Sequence, residues 1–173
     1  MNSFIKINFF FLFIFSFSIT SGFTIEEIRT SYGKALENSK IADQLLQSLN
    51  NVTVNEPLFL AYKGATEALI AKHAFNPYKK YEYLDKSMKT LAQAIAKDPL
   101  NPEIRFLRFT IQYYVPSFLG YTKNLDEDKT AIVKNFYGLK KIYNPDMVKG
   151  AGDLLISSGK CTPSEVEQIK AML

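Results

Sequence analysis

Arg105 and Arg108 stand three residues apart in "RFLRFTIQYYVPSFLGY", a run otherwise almost wholly apolar or aromatic. On a helical wheel at about 100° per residue, Arg105, Arg108 and Gln112 fall in one narrow wedge. The rest of 104–115 is apolar except Thr110. A helix apolar nearly all round is usually central to its domain, so the two guanidinium groups are expected at a core margin or in a cleft. An uncompensated buried charge is costly, so each needs an anion. One possibility is an internal salt bridge to Asp98, Glu103, Asp126, Glu127 or Asp128, or to Glu67, Glu82 or Asp85, which antiparallel packing favours. The other is a groove in which an arginine holds a carboxylate from a ligand or peptide, a task that suits its fork of donors. That groove would be lined by Tyr62, Tyr81, Arg105, Arg108, Gln112 and Tyr121, since tyrosine and arginine are common interface anchors.

Other reactive residues are sparse. His73 is the only histidine and Cys161 the only cysteine. They lie far apart in sequence, so neither a catalytic thiol–imidazole pair nor an internal disulfide is expected. No HExxH, GxSxG or phosphate-binding glycine loop occurs, and no metal or cofactor site is anticipated. "LDEDK" at 125–129 reads as acids favouring a helix start, with Asp126 as its cap. No residue is assigned a catalytic role. An enzyme could be built only by joining Arg108 to a carboxylate such as Asp85 or Glu67.

The elements that would position these residues are all helical. Apolar residues recur at three and four, and period-two alternation is nearly absent. Seven helices are expected: 25–49, 57–74, 78–97, 102–115, 126–141, 145–158 and 163–173. Thr24 with Glu27, and Thr162 with Glu165, form capping-box patterns. Prolines 57, 102, 145 and 163 suit first turns, and Asn76-Pro77 breaks the chain before the third helix. Ala61, Gly64, Ala65, Ala68 and Ala71 give the second helix a small-residue face for a close neighbour. Short turns favour antiparallel hairpins, whether stacked as a superhelix or packed as a compact bundle.

Residues 1–22 read as a secretory signal: Lys6 precedes an apolar run from Phe9 to Phe15, and Thr20 and Gly22 fit a cleavage site before Phe23. The run is short for a membrane span, so none is expected after cleavage. Residues 23–173 then form one domain. The net charge is +4, with 21 basic and 17 acidic residues, dispersed rather than gathered in a stripe. Nucleic acid is not an expected partner.

"AIAKDPLNPEIRFL" at 94–107 resembles the junction between consecutive tetratricopeptide (TPR) repeats. Ala94 and Pro99 match the family spacing, with Ser87 and Leu91 at the small and large packing positions. The tryptophan, glycine and tyrosine of the preceding helix have no clear counterpart. The resemblance implies a TPR-like stack of helical hairpins, an architecture that holds peptides or partner helices. "NPEIRFLR…PSFLGYTKNLDEDK" is also similar to small exported helical proteins of bacteria, which implies a compartment but transfers no catalytic residue. The combined expectation is a non-catalytic binding or scaffold module of the cell envelope, with another protein or a peptide as partner. A structural or assembly role without a ligand is the alternative.

Overall fold

The computed structural model describes residues 23–52 and 56–173; the expected signal lies outside them. Among these residues the chain forms nine α-helices and no strand. They are α1 (Ile25–Ala35), α2 (Ser39–Asn51), α3 (Pro57–His73), α4 (Pro77–Lys97), α5 (Pro102–Tyr114), α6 (Leu125–Lys134), α7 (Phe136–Lys140), α8 (Pro145–Ser157) and α9 (Pro163–Met172). A short 3-10 turn, Ser117–Leu119, follows α5.

The start signals act as the sequence implies. Thr24 Oγ1 accepts from Glu27 N while Glu27 Oε2 accepts from Thr24 N, and Thr162 with Glu165 repeats the exchange. Asn76, Asn101 and Asn144 cap α4, α5 and α8, each followed by proline in the first turn. These side chains satisfy amide groups that a helix start leaves without partners. Asp126 does not cap α6, however. The cap position is Asn124, and Asp126, Glu127 and Asp128 occupy the first turn.

Two of the seven expected helices are each split. The 25–49 helix breaks after Ala35, and Asn38 restarts it by accepting Ile41 N at 3.2 Å. The end of α3 seals the break: Lys72 Nζ donates to Leu36 O at 2.6 Å, and His73 Nε2 meets Ala35 O at 2.9 Å. The 126–141 helix breaks at Asn135, whose side-chain amide donates to Ala131 O at 3.0 Å in competition with the backbone. The apolar stripe continues through both breaks, so periodicity alone does not reveal them.

The α3–α4 hairpin is the closest pairing. Gly64 makes it possible: a Cβ there would lie 2.9 Å from Leu91 Cγ, 3.1 Å from Leu91 N and 3.2 Å from Ser87 O. The interior divides into two clusters. Ile28, Leu45, Leu46, Ala61, Leu69, Leu91, Ile104 and Leu107 belong to the first. Phe109, Ile132, Phe136, Leu139, Leu155 and Ile169 belong to the second. Helix α5 supplies both, which is why its sequence is apolar on nearly every side.

Candidate functional site

Arg105 and Arg108 sit almost wholly buried on α5, and both close on Asp128 in the first turn of α6. Arg108 Nε lies 2.6 Å from Asp128 Oδ2, and Arg108 Nη2 lies 2.7 Å from Oδ1. Arg105 Nη1 donates to Asp128 Oδ1 at 2.8 Å and to Glu127 Oε1. Arg105 Nε donates to Pro99 O at 2.9 Å, tying α5 to the preceding turn. Two guanidinium groups and two carboxylates therefore compensate one another within the protein. The Arg105 bond, and then that of Asn124, hold the Glu127 carboxyl below its usual range. Burial would pull the Arg105 pKa down, but its bonds to Asp128 and Glu127 win and raise it.

The acid comes from the following helix, not from the preceding ones. Asp85 pairs with Lys89 at 2.7 Å on α4. Glu67 is fully buried, accepts Thr90 Oγ1 at 2.7 Å and lies 3.4 Å from Lys86 Nζ. The Arg108–Asp85 and Arg108–Glu67 pairings that an enzyme would have used are thus replaced by Arg108–Asp128. The α5 wedge is turned away from α3 and towards α6, a rotation fixed by how α5 divides its apolar residues between two cores.

A second buried network has no counterpart in the sequence reading. Glu103, at zero exposure near the start of α5, takes Arg29 Nε on Oε1 at 2.8 Å and Arg29 Nη2 on Oε2 at 2.7 Å. Its Oε1 also accepts Tyr62 OH at 2.7 Å and Tyr143 OH at 2.9 Å. One carboxylate thereby joins α1, α3, α5 and the α7–α8 turn. The Glu103 bond raises the Arg29 pKa. Burial, reinforced by the nearby carboxylate, raises those of Tyr62 and Tyr143, so both phenols remain donors. In sequence Glu103 stands among the candidate acids for Arg105 and Arg108, and nothing in the spacing links it to its actual partners Arg29, Tyr62 and Tyr143.

The six expected groove residues fall in separate places. Tyr62 belongs to the Glu103 network and packs edge-on to Tyr32. Arg105 and Arg108 belong to the Asp128 network. Gln112 is buried, with Nε2 at 3.5 Å from Asn124 Oδ1 and 3.8 Å from Met88 Sδ, while its Oε1 has no partner. Tyr81 and Tyr121 do come together, with ring centroids 6.4 Å apart and planes tilted by 53°. Partial burial and its neighbour Tyr81 push the Tyr121 hydroxyl pKa up to about 12.

That tyrosine pair marks an exposed aromatic end. Helix α4 starts where α5 finishes, and Tyr78, Tyr81, Tyr114 and Phe118 are all exposed there. Gly120, at φ 77°, supplies the left-handed turn that leads from the 3-10 segment to Tyr121. Elsewhere, a cleft of about 290 Å³ lies at the α3–α4 turn, with Asp43, His73 and Lys79 among its lining residues. Cys161 is half-buried with Sγ 3.4 Å from Leu155 O, and burial raises its thiol pKa, the reverse of activation. Among the described residues no group of three or more His, Cys, Asp or Glu side chains could hold a metal ion. No described helix is long and apolar enough to cross a membrane.

Comparisons with protein families, curated proteins and solved structures found no significant match to this chain.

Proposed function

We propose that the protein is an exported helical binding or scaffold module, TPR-like in its α3–α4 hairpin, that engages another protein or a peptide in the cell envelope without catalysing a reaction. The observation that carries this reading is the contrast between its polar and aromatic residues. The buried arginines are compensated from within, whereas Tyr78, Tyr81, Tyr114 and Phe118 are left exposed at one end of the α4–α5 hairpin. Exposed aromatics gathered in one region are typical interface anchors. The contact surface therefore shifts from the arginine wedge to this end, keeping Tyr81 and Tyr121. The packing of Gly64 against Ser87 and Leu91 supports the TPR-like reading, because close hairpin packing by a small residue is what that architecture needs.

The test is crosslinking in the native envelope, comparing the wild-type chain with a Tyr78→Ser/Phe118→Ser variant. Both positions are exposed, so the circular dichroism melt should be unchanged while the crosslinked species falls at least about fivefold, as expected when interface anchors are lost. An unchanged crosslink would overturn the aromatic contact. A crosslink of twice the chain mass would identify the partner as a second copy. N-terminal sequencing of the envelope form should begin at Phe23; an intact Met1 would remove the signal reading.

A further inference from the structure

Helix α9 is the most lightly seated helix of the fold. It packs against α6, α7 and α8, and Ile169 is its one buried residue. Every other helix buries at least two. Glu165, Val166 and Met172 are partly covered, and the remaining α9 side chains face solvent. A short helix with one buried aliphatic side chain gains little apolar burial against the entropy of fixing its backbone.

What secures α9 is polar. Lys129 Nζ on α6 donates to Glu165 Oε1 at 2.7 Å and to Oε2 at 2.8 Å. Lys129 is almost wholly buried, and among the described residues Glu165 is the only carboxylate paired with it. Glu165 also accepts Thr162 N at 2.8 Å, its half of the capping box. The other charged and titratable groups around the pair are engaged elsewhere. Lys160, in the α8–α9 link, lies 3.7 Å from Asp126 on α6. Lys140 on α7 donates to Met172 O. On α8 Lys149 pairs with Asp153 at the surface, and on α9 Lys170 pairs with Glu167. The Cys161 thiol, also in the link, donates to Leu155 O at 3.4 Å.

The link, residues 158–162, has the makings of a hinge, since Gly159 holds φ 69° and glycine moves freely between that region and extended backbone. Beyond it α9 lies close on α8: a Cβ on Gly152 would stand 2.9 Å from Leu173 Cδ2 and 3.1 Å from Ile169 Cγ2. We infer that α9 is a strap that acid releases from α6, α7 and α8, with Lys129 and Glu165 as its clasp, while α3, α4 and α5 remain folded. Protonating Glu165 removes the one anion beside Lys129 and leaves a buried cation beneath the strap. Water reaches that cation when α9 lifts, and hydration relieves it. The sign follows from the carboxyl. The bond from Lys129, then that from Thr162 N, hold its folded pKa below the usual glutamate range. The clasp is whole above that range and is lost as pH falls through the folded value. Lifting uncovers Gly152, Lys129 and the part of the second core that Ile169 fills. The inference does not rest on the contact proposed for the aromatic end, which α4 and α5 carry.

The experiment is hydrogen exchange of the full chain from about pH 7 to about pH 3.5, with protection corrected for the intrinsic pH dependence of exchange. Protection of α9 should fall about tenfold further than that of α5. Glu165→Gln keeps a side chain able to complete the capping box but removes the charge, so it should show that loss already at about pH 7. Lys129→Met removes the cation that needs a partner, and α9 should then stay protected across the range. The Lys129→Met/Glu165→Gln double variant should do the same, whereas simple loosening of the packing would make the two losses add. Protection of α5 in each variant reports that the rest of the chain is folded. Joint loss of α9 and α5 in the wild type, or an acid response of α9 that Lys129→Met leaves unchanged, overturns the strap.

Discussion

Arg108 grips Asp128 through both carboxylate oxygens, at 2.6 Å and 2.7 Å, with the aspartate fully buried and the arginine almost so. Arg105 shares the same Oδ1. Removing the aspartate would leave two buried cations facing each other. Asp128→Ala is expected to cost about 3–5 kcal/mol, the usual penalty for breaking a buried pair. Glu127 is half-exposed, and Glu127→Gln should cost under about 1 kcal/mol. Denaturant unfolding of the two variants checks the difference; equal losses would contradict the assigned roles.

The Glu103 network predicts coupling between distant segments. Tyr62→Phe removes a buried donor to a carboxylate and should cost about 2 kcal/mol. Tyr143→Phe should cost somewhat less, since that ring is only partly buried. Both donate to Glu103 Oε1, so the double variant should depart measurably from the sum of the two. Strict additivity in equilibrium unfolding would mean that the hydroxyls act separately.

Two glycines should respond with opposite signs. Gly64→Ala places a methyl 3.1 Å from Leu91 N and 3.2 Å from Ser87 O, backbone atoms that cannot swing aside. The strain, about 1–3 kcal/mol, should exceed the gain in helix propensity. Gly150, inside α8, has open space at its Cβ. Gly150→Ala should therefore stabilise by about 0.5–1 kcal/mol. Thermal melts of both variants decide the point.

Acid should weaken the α6 contacts. Glu127 and Glu165 have folded pKa values below the usual glutamate range, the first through Arg105 and the second through Lys129. A carboxyl lowered on folding binds its proton more readily when unfolded. Its contribution is complete above the unfolded value and disappears as pH falls through the folded one. Stability should therefore decline as pH falls through the ordinary glutamate range, about 4–5, and below it, and Lys129→Met should remove part of that slope. A slope unchanged by Lys129→Met in urea titrations would detach Glu165 from the acid response.

The α4 and α5 boundaries were legible because their signals are local. Asn76-Pro77 and Asn101-Pro102 each combine a cap with a residue that cannot continue a preceding helix. The breaks at Leu36 and Asn135 were hidden, since the apolar period runs through them; the groups that seal the first, Lys72 and His73, come from another helix. Asp128 stood among the candidate acids for the arginine wedge, but packing geometry favoured α3 and α4 until the division of α5 between two cores set its rotation. Tyr62 was assigned to a groove because tyrosine is a common interface anchor. Its actual partner, Glu103, lies 41 residues away.

Helical character, the start of most helices and the central place of α5 follow from backbone chemistry and periodicity within a few residues, and these could be read from the order of amino acids. Which acid meets which arginine, which tyrosines are buried and which end presents aromatics came from the packing of the folded chain. Those outcomes depend on the rotation and stacking of whole helices, and helix rotation is set by side chains far apart in the chain competing for the same two interiors.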